Sequence, residues 1–210
     1  MNILIFIAFF ILWAVLHSVT AGHGLKRWFR QKFGEKAYAG WYRLLFNLFA
    51  VISFTILYLT IPALLPQTVL WTWRPPYIYL AYAISLTGLV GLVAALWATD
   101  IWDFLGARQV AWYLRGAKGE MPAPPFTATG PYALVRHPLY FFTLLVLWAN
   151  PVMTLGSFIF YAAITLYFWI GSYYEERKLA AFYGRPYEEY TRRVPRLIPF
   201  TKRPQRETAV

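Results

Sequence analysis

The densest group of residues that could do chemistry lies at 130–140, which reads Gly-Pro-Tyr-Ala-Leu-Val-Arg-His-Pro-Leu-Tyr. We expect a helix to begin here with Pro138 at its first position, where a missing N–H costs nothing. The free N–H groups of a helix start, together with Arg136, suit an anionic ligand group. The alternative is an interfacial anchor, in which Arg136 reaches lipid headgroups and Tyr132 and Tyr140 belong to an aromatic belt.

A second charged group, Glu175-Glu176-Arg177-Lys178, follows a long uncharged stretch. Adjacent residues are about 100° apart on a helix. We therefore expect that the two glutamates cannot both face one ligand, and that one pairs with Arg or Lys at the surface. A solvated charge cluster is the alternative.

Other polar residues lie in or beside the apolar stretches of the first half. His17 is an ionisable residue inside the first stretch, which makes it a functional-site candidate, with a structural histidine bonded to another helix as the alternative. Arg43 and Asn47 share a helix face at i,i+4. Asp100 and Asp103 are one turn apart, a spacing that also fits simple solvation at a helix exit.

The composition excludes a soluble globular protein. Of 210 residues, 59% are hydrophobic and 14% charged, against roughly 45–50% and 25% in a soluble domain. The absence of cysteine excludes disulfides, iron–sulfur clusters, thiolate zinc sites and a cysteine nucleophile. None of the three histidines has a metal-ligand partner at i,i+4, so no metal site is predicted.

Ionised residues mark the membrane spans, because each is costly at the centre of a bilayer. Asp, Glu, Lys and Arg are absent from four stretches, residues 1–25, 44–73, 75–99 and 137–174. About 20 residues cross a bilayer, so the first three stretches predict helices at residues 3–21, 44–65 and Tyr77–Ala98. Asn150-Pro151 breaks the fourth stretch into a short helix, Pro138 to Ala149, and a longer one at 154–172, which together form a tight hairpin. Gly88 and Gly91 are expected to allow close helix packing.

The predicted fold is therefore all-α, a multipass bundle of five transmembrane helices with a short helix 4/helix 5 hairpin and a cytoplasmic C-terminal amphipathic helix. Residues 1–200 form a single domain and residues 201–210 a disordered tail. Residues 23–39 are predicted to form a basic amphipathic helix on the anionic lipid of the cytoplasmic leaflet. The loop 99–131 contains prolines and cannot be one continuous helix.

The distribution of Lys and Arg predicts the orientation, because positively charged loops stay cytoplasmic. Six lie after helix 1, one between helices 2 and 3, four before the hairpin and nine after Tyr174. Only a five-helix chain with its N-terminus outside keeps the three basic segments on one side. We therefore predict an inner-membrane protein with a cytoplasmic C-terminus. Helix 1 is expected to be retained, because no basic region precedes it as in a cleaved signal peptide.

These motifs resemble the isoprenylcysteine carboxyl methyltransferase superfamily of membrane enzymes. The resemblance covers about residues 98–200 and rests on the Arg-His-Pro-x-Tyr core, the Glu-Glu pair and the Tyr-Gly-x-x-Tyr-x-x-Tyr run. More narrowly, residues 16–21 with Lys26, 103–109 and 148–154 resemble the bacterial methanethiol S-methyltransferase branch, which neighbours short membrane proteins associated with nitrogen-oxide reduction. Enzymes of that branch usually carry a further hydrophobic segment before the His-Ser helix, with which this sequence almost begins.

The resemblance implies an S-adenosylmethionine-dependent membrane methyltransferase that S-methylates a small or lipid-soluble thiol such as methanethiol. The implied cofactor contacts are Tyr132, Arg136, His137, Pro138, Tyr140, Glu175, Glu176, Tyr187 and Tyr190. An arginine can hold the methionyl carboxylate, a glutamate can accept from ribose hydroxyls, and aromatic rings can cover the adenine or the sulfonium.

A neutral thiol is a poor nucleophile, with a reference pKa of about 8.5 for cysteine. The protein must help to remove its proton. If helix 1 packs on the hairpin, His17 is the candidate base or relay, with Arg43 stabilising the thiolate and Asp103 orienting one of the two. The expected partners are this substrate and anionic lipid, with no nucleic acid and no obligate protein partner evident.

Three other functions stay open at this point. A lipid, amine or carboxyl methyltransferase of the same superfamily would need a long apolar groove. A non-catalytic membrane protein of nitrogen-oxide or haem metabolism would use His17 or His137 as an axial ligand. A membrane scaffold without a cofactor would leave the Arg-His-Pro and Glu-Glu motifs unexplained.

Overall fold

The computed structural model describes residues 2–118, 121 and 126–201. Within them the elements in chain order are α1 Asn2–Ala21, α2 His23–Phe33, α3 Glu35–Leu59, α4 Ile61–Leu64, β1 Val69–Thr72, α5 Tyr77–Ala98, α6 Ile101–Leu105, α7 Ala107–Leu114, α8 Pro131–Leu134, α9 Pro138–Trp148, β2 Val152–Thr154, α10 Leu155–Tyr183 and α11 Arg185–Arg193. From residue 202 onward, the predicted disordered tail lies outside the described residues.

The described part of the chain contains four helices that are long and apolar enough to cross a membrane, Asn2–Ala21, Glu35–Leu64, Tyr77–Ala98 and Leu155–Tyr183. The fifth apolar helix, α9, has 11 residues and rises only about 16 Å, which confirms that it is short. Many large apolar side chains on the long helices are exposed, including Leu4, Ile11 and Val90. Lipid rather than protein would cover them, so the chain is a mostly helical integral membrane protein.

Two features differ from the sequence-based expectation. The all-α prediction omits a two-stranded sheet of β1 and β2, next to which the Trp73 N–H donates to the Pro151 carbonyl at 2.9 Å. The predicted helix 23–39 is divided at Gly34, which has a φ of +87°. Glycine tolerates this backbone conformation better than other residues, so α2 ends there and α3 begins earlier than predicted.

Contacts divide the chain into two compact units. The first comprises Met1–Thr68, Thr99–Pro124 and Thr154–Ser157, and the second comprises Val69–Ala98, Pro125–Met153 and Phe158–Val210. A single domain over residues 1–200 stays a prediction.

In the first unit, α7 packs closely against α3. A Cβ atom at Gly40 would lie 2.6 Å from the Tyr113 Cβ, so a larger residue there would push the helices apart. Gly106, between α6 and α7, has a φ of +90°, and its added Cβ would lie 2.6 Å from the Leu44 backbone nitrogen. Glycine at these positions therefore holds α6 and α7 against the part of α3 that carries Arg43.

In the second unit, α5 packs against α9 through glycine. Added Cβ atoms would lie 2.6 Å from Val146 at Gly88 and 2.3 Å from the Phe142 ring at Gly91, which confirms the predicted close packing. The C-terminal helix α11 is amphipathic, as predicted. It buries Tyr187 and Tyr190 on one face, since residues three apart lie on the same side of a helix.

Candidate functional site

The backbone between α8 and α9 positions the first two charged residues of the second unit. Pro138 begins α9, as predicted, and is fully buried. The backbone N–H groups of Arg136 and His137 donate to the carbonyls of Pro195 and Arg196 at 2.9 and 3.2 Å. These bonds hold the segment that follows α11 beside the start of α9.

Glu176 on α10 lies within ion-pair distance of three basic side chains, those of Arg136, His137 and Arg196. Its Oε1 atom accepts from Arg136 Nε at 2.8 Å. It also lies 2.7 Å from Arg136 Nη2 and 3.2 Å from His137 Nε2. Its Oε2 atom lies 3.2 Å from Arg196 Nη2. The Glu176 carboxylate therefore has ion-pair partners on both oxygens.

His137 lies between the two adjacent glutamates. Its Nδ1 atom is 3.4 Å from Glu175 Oε2 and its Nε2 atom 3.2 Å from Glu176 Oε1. Both glutamates thus reach one ring of the protein, whereas the expectation that they cannot both face one ligand stays a prediction. Their side chains have three rotatable bonds each, which lets them reach opposite nitrogens of the same ring despite their separation around the helix.

The charge of His137 follows from these contacts. Burial by itself would lower the pKa of this imidazole, but the hydrogen bonds and charges of Glu175 and Glu176 outweigh it and raise the pKa above 6.5. In the protonated form, Nδ1 can donate toward Glu175 and Nε2 toward Glu176. Because the pKa is higher in the folded state, this contribution to stability is complete below about pH 6.5 and is lost as the pH rises through the raised pKa.

Arg136 connects α10 with the segment around the end of α11. Its Nη1 atom donates to the carbonyls of Thr191 at 2.9 Å and Val194 at 2.8 Å. The side chain is only 6% exposed. An arginine that reached lipid headgroups would be exposed, so the interfacial-anchor interpretation of Arg136 is wrong.

Tyr140 extends the cluster along α9. Its hydroxyl donates to Glu175 Oε2 at 2.8 Å. Its ring stacks on His137 with centroids 5.3 Å apart, and on Phe168 with centroids 4.3 Å apart. The ring therefore fixes the orientation of both the imidazole and the Glu175 carboxylate.

The tyrosines of α11 are buried beside the cluster. The Tyr190 hydroxyl donates to the Tyr132 carbonyl at 2.6 Å. Tyr132 therefore contacts Tyr190 through its backbone. The Tyr187 hydroxyl is buried without a hydrogen-bond partner among the described residues. Burial raises the pKa of Tyr187 and Tyr190, so both keep their protons at neutral pH.

Arg196 belongs to this cluster, although the sequence analysis did not select it. Its Nε atom is buried and has no hydrogen-bond partner within the described part of the chain. The available signal was its position in Val-Pro-Arg, where an arginine next to proline closely follows an amphipathic helix. With Arg196, two arginines and His137 stand against the two carboxylates of Glu175 and Glu176, so the cluster carries one excess positive charge when His137 is protonated.

The first unit contains a second polar group, centred on Asp103. Arg43 Nη1 donates to Asp103 Oδ2 and to the Asp103 carbonyl at 3.0 Å. Gln109 Nε2 donates to Asp103 Oδ1 at 2.8 Å. The structure thus brings Arg43 and Asp103 into direct contact and adds Gln109, which the sequence analysis left out of the site.

His17 has aromatic surroundings. Its ring centroid lies 5.5 Å from that of Trp13 and 5.1 Å from that of Phe46.

Asp100 has a structural role. Its carboxylate caps α6 by accepting from the backbone N–H groups of Trp102 and Asp103, and it pairs with Arg108.

Two further features concern metals and apolar ligands. Among residues 2–118, 121 and 126–201, no group of three His, Cys, Asp or Glu side chains could hold a metal ion. An open apolar groove of about 560 Å³ runs along α5, lined by Leu89, Val90, Val93, Ala94, Trp97 and Ala98. Since these residues belong to a candidate membrane span, acyl chains would cover the groove.

Comparison with known proteins identifies the relatives of the chain. The family model described as NnrU protein matches residues 5–201. Methanethiol S-methyltransferase 1 of Bradyrhizobium diazoefficiens is 33% identical over 192 residues, which cover 91% of this chain and 65% of that protein. The methanethiol S-methyltransferase of Crocosphaera subtropica is 30% identical over 90% of this chain and 71% of its own length. The methanethiol S-methyltransferase of Mycobacterium tuberculosis is 31% identical over 90% of this chain and 75% of its own length. No solved structure gives a significant match.

Proposed function

The chain belongs to the NnrU family, and we propose that it is an integral-membrane methyltransferase that uses S-adenosylmethionine to methylate the sulfur of a small thiol such as methanethiol. The names of relatives that match about nine tenths of this chain support the reaction. The chain spans just under two thirds of the Bradyrhizobium diazoefficiens protein. The polar cluster of Arg136, His137, Glu175, Glu176 and Arg196 carries the proposal, because its cationic side chains suit the carboxylate of the cofactor.

The proposed cofactor site has two kinds of residue. Frame residues use their polar groups on other parts of the protein, and ligand-facing residues have polar groups left for the cofactor. Arg136 already donates three of the five N–H groups of its guanidinium to Glu176 and two backbone carbonyls, and its Nη2 atom lies 2.7 Å from Glu176 Oε1. Arg136, His137 and Glu176 therefore form the frame. Arg196 has a buried Nε–H to offer to the methionyl carboxylate. The Glu175 side chain is 45% exposed, and its carboxylate can accept from ribose hydroxyls.

The buried Tyr187 hydroxyl, which has no hydrogen-bond partner among the described residues, is a second feature that fits the cofactor. A buried hydroxyl without a partner costs free energy unless a ligand or water bonds to it. Tyr187 is 2% exposed and lies against Phe126, with ring centroids 6.1 Å apart. A hydroxyl with aromatic surroundings suits the adenosine part of the cofactor, whose base stacks on rings and whose heteroatoms accept hydrogen bonds.

Bound S-adenosylmethionine would supply an electrophilic methyl group on a sulfonium. The thiol sulfur would take this methyl group as the methyl–sulfonium bond breaks, and the protein must accept the proton that the thiol loses. We propose that His17 accepts or relays this proton, that Arg43 stabilises the thiolate, and that Asp103 orients Arg43 through the observed ion pair.

Incubation with labelled S-adenosylmethionine and a panel of thiols, lipids and amines tests which class of molecule accepts the methyl group. Methylation of lipid or amine but not thiol would contradict the proposal.

Removing a ligand-facing charge should weaken cofactor binding. We expect Arg196→Met and Glu175→Gln each to raise the Kd for S-adenosylmethionine roughly 10- to 150-fold, since a charged hydrogen bond contributes about 1.5–3 kcal/mol. Calorimetry in nanodiscs measures this. Arg185→Met and Glu189→Gln are matched controls, because these residues form an exposed pair on α11. An unchanged Kd in both test variants, with wild-type protein that binds, would contradict the assignment.

The orientation gives a further prediction. The α2 helix carries four basic residues together with exposed Trp28 and Phe33, a composition that suits anionic lipid on the cytoplasmic side. We therefore expect a reporter fused after Val210 to be cytoplasmic and one inserted beside Arg74 to be outside. Activity of a periplasmic reporter at Val210 would overturn the orientation.

A further inference from the structure

Two buried polar atoms on α7 have no role in the cofactor cluster. Gln109 is 6% exposed, and its Oε1 atom is buried without a hydrogen-bond partner among the described residues. The Trp112 Nε1 atom is likewise buried without a hydrogen-bond partner among the described residues. The two residues are three positions apart on α7 and therefore lie on the same face of the helix. One face of α7 thus carries one buried acceptor and one buried donor that have no partner among the described residues.

The orientation of the Gln109 amide is fixed by its neighbour. Its Nε2 atom donates to Asp103 Oδ1 at 2.8 Å, and the other oxygen of Asp103 accepts from Arg43. Exchanging the amide nitrogen and oxygen would place two acceptors against each other. The carbonyl oxygen must therefore point away from Asp103, where it requires a donor.

The position of α7 makes this pair of atoms a fixed feature. Gly40 and Gly106 allow α7 and its preceding turn to approach α3 closely, and Asn47 Nδ2 donates to the Phe104 carbonyl at 2.8 Å. Buried polar atoms in a rigid setting cost free energy unless something bonds to them. A small molecule with one donor and one acceptor would satisfy both.

We propose that Gln109 and Trp112 bind the thiol substrate in its neutral form, an inference that rests on the proposed function. The S–H group donates to Gln109 Oε1, and the sulfur accepts from the Trp112 indole N–H. A thiol has this weak donor and weak acceptor on a single atom. A thiolate has no proton to give to Oε1, so the site selects the protonated substrate, from which a base must then remove the proton.

Kinetics of two variants test the site. Trp112→Phe removes the indole N–H and keeps an aromatic ring. Gln109→Met keeps a side chain of similar length and removes the hydrogen bonds of the amide to Asp103 and to the thiol. We expect each to raise the KM for methanethiol about five- to tenfold, the effect of one lost hydrogen bond, and to change the KM for S-adenosylmethionine less than about twofold. Trp102→Phe and Gln31→Met, at exposed positions, are the matched controls. An unchanged methanethiol KM in Trp112→Phe would overturn the proposal.

A binding experiment separates this site from the reaction itself. Protein labelled with ¹⁵N at its ten tryptophan indoles is titrated with ethanethiol in the presence of S-adenosylhomocysteine, which cannot donate a methyl group. The resonance missing from Trp112→Phe should shift, and that of Trp102 should not. A shift without methylation by the wild type would contradict the proposed function alone. Methylation without a shift would assign the two atoms to a bound water and overturn this inference.

Discussion

Substitution of His17 by phenylalanine is expected to lower the rate of thiol methylation by about 10²–10⁴-fold, the usual contribution of a positioned general base. The ring of His17 lies against Trp13 and Phe46, so alanine would remove packing as well as a proton acceptor. Phenylalanine retains an aromatic ring and removes only the acceptor. The turnover number with saturating thiol and cofactor measures the effect.

The dependence of the rate on pH distinguishes a base from a packing residue. Without the base, the rate should rise about tenfold per pH unit below the thiol pKa, since the thiol must then lose its proton to hydroxide before it reacts. The Kd for S-adenosylmethionine should stay within about twofold of wild type. His23→Phe is the control, because His23 is exposed at the start of α2. A His17→Phe enzyme that is equally slow at every pH, or that loses cofactor binding, would make His17 a packing residue.

Replacement of Arg136 by methionine should destabilise the protein by about 3–5 kcal/mol, because the Glu176 carboxylate would lose its closest partner, a buried guanidinium. The guanidinium also donates to the Thr191 and Val194 carbonyls, which would then be left without that donor. Unfolding in mixed micelles, followed by tryptophan fluorescence, measures the loss. Both effects arise inside the second unit, so they should be seen without any ligand.

The matched control for this prediction is Arg185→Met. Arg185 pairs with Glu189 on α11, but its side chain is 88% exposed, so its loss should change the free energy of unfolding by at most about 0.5 kcal/mol. If Arg136→Met were as stable as Arg185→Met yet bound S-adenosylmethionine more weakly, Arg136 would be a ligand-facing residue and the division into frame and ligand-facing residues would be wrong.

The sequence predicted the helices well where the argument depended on the cost of burying charge. Uncharged stretches located the four long apolar helices, and Pro138 marked the start of α9. It erred where backbone conformation decided the outcome. Gly34, with its positive φ, separated α2 from α3 within a segment predicted as one helix. The strands β1 and β2 are four and three residues long, too short for their period to identify them.

For the candidate site, the sequence by itself determined which residue types were present and which segments carried them. Its motifs singled out Arg136, His137, Glu175 and Glu176, because ionised residues next to membrane spans are few. Only the tertiary structure decided their partners. Arg136 meets Glu176 across 40 positions of the chain, and Arg43 meets Asp103 across 60.

Such contacts depend on how helices pack, whereas helical periodicity describes only neighbours within about one turn. The sequence therefore could not show that both glutamates reach one imidazole, or that Arg196 joins them after α11. For the same reason it could not show that Gln109 bonds to Asp103 and leaves its carbonyl oxygen without a partner among the described residues. The cost of burying charge is local and can be read along a chain, but the pairing of charges is settled only when distant segments fold together.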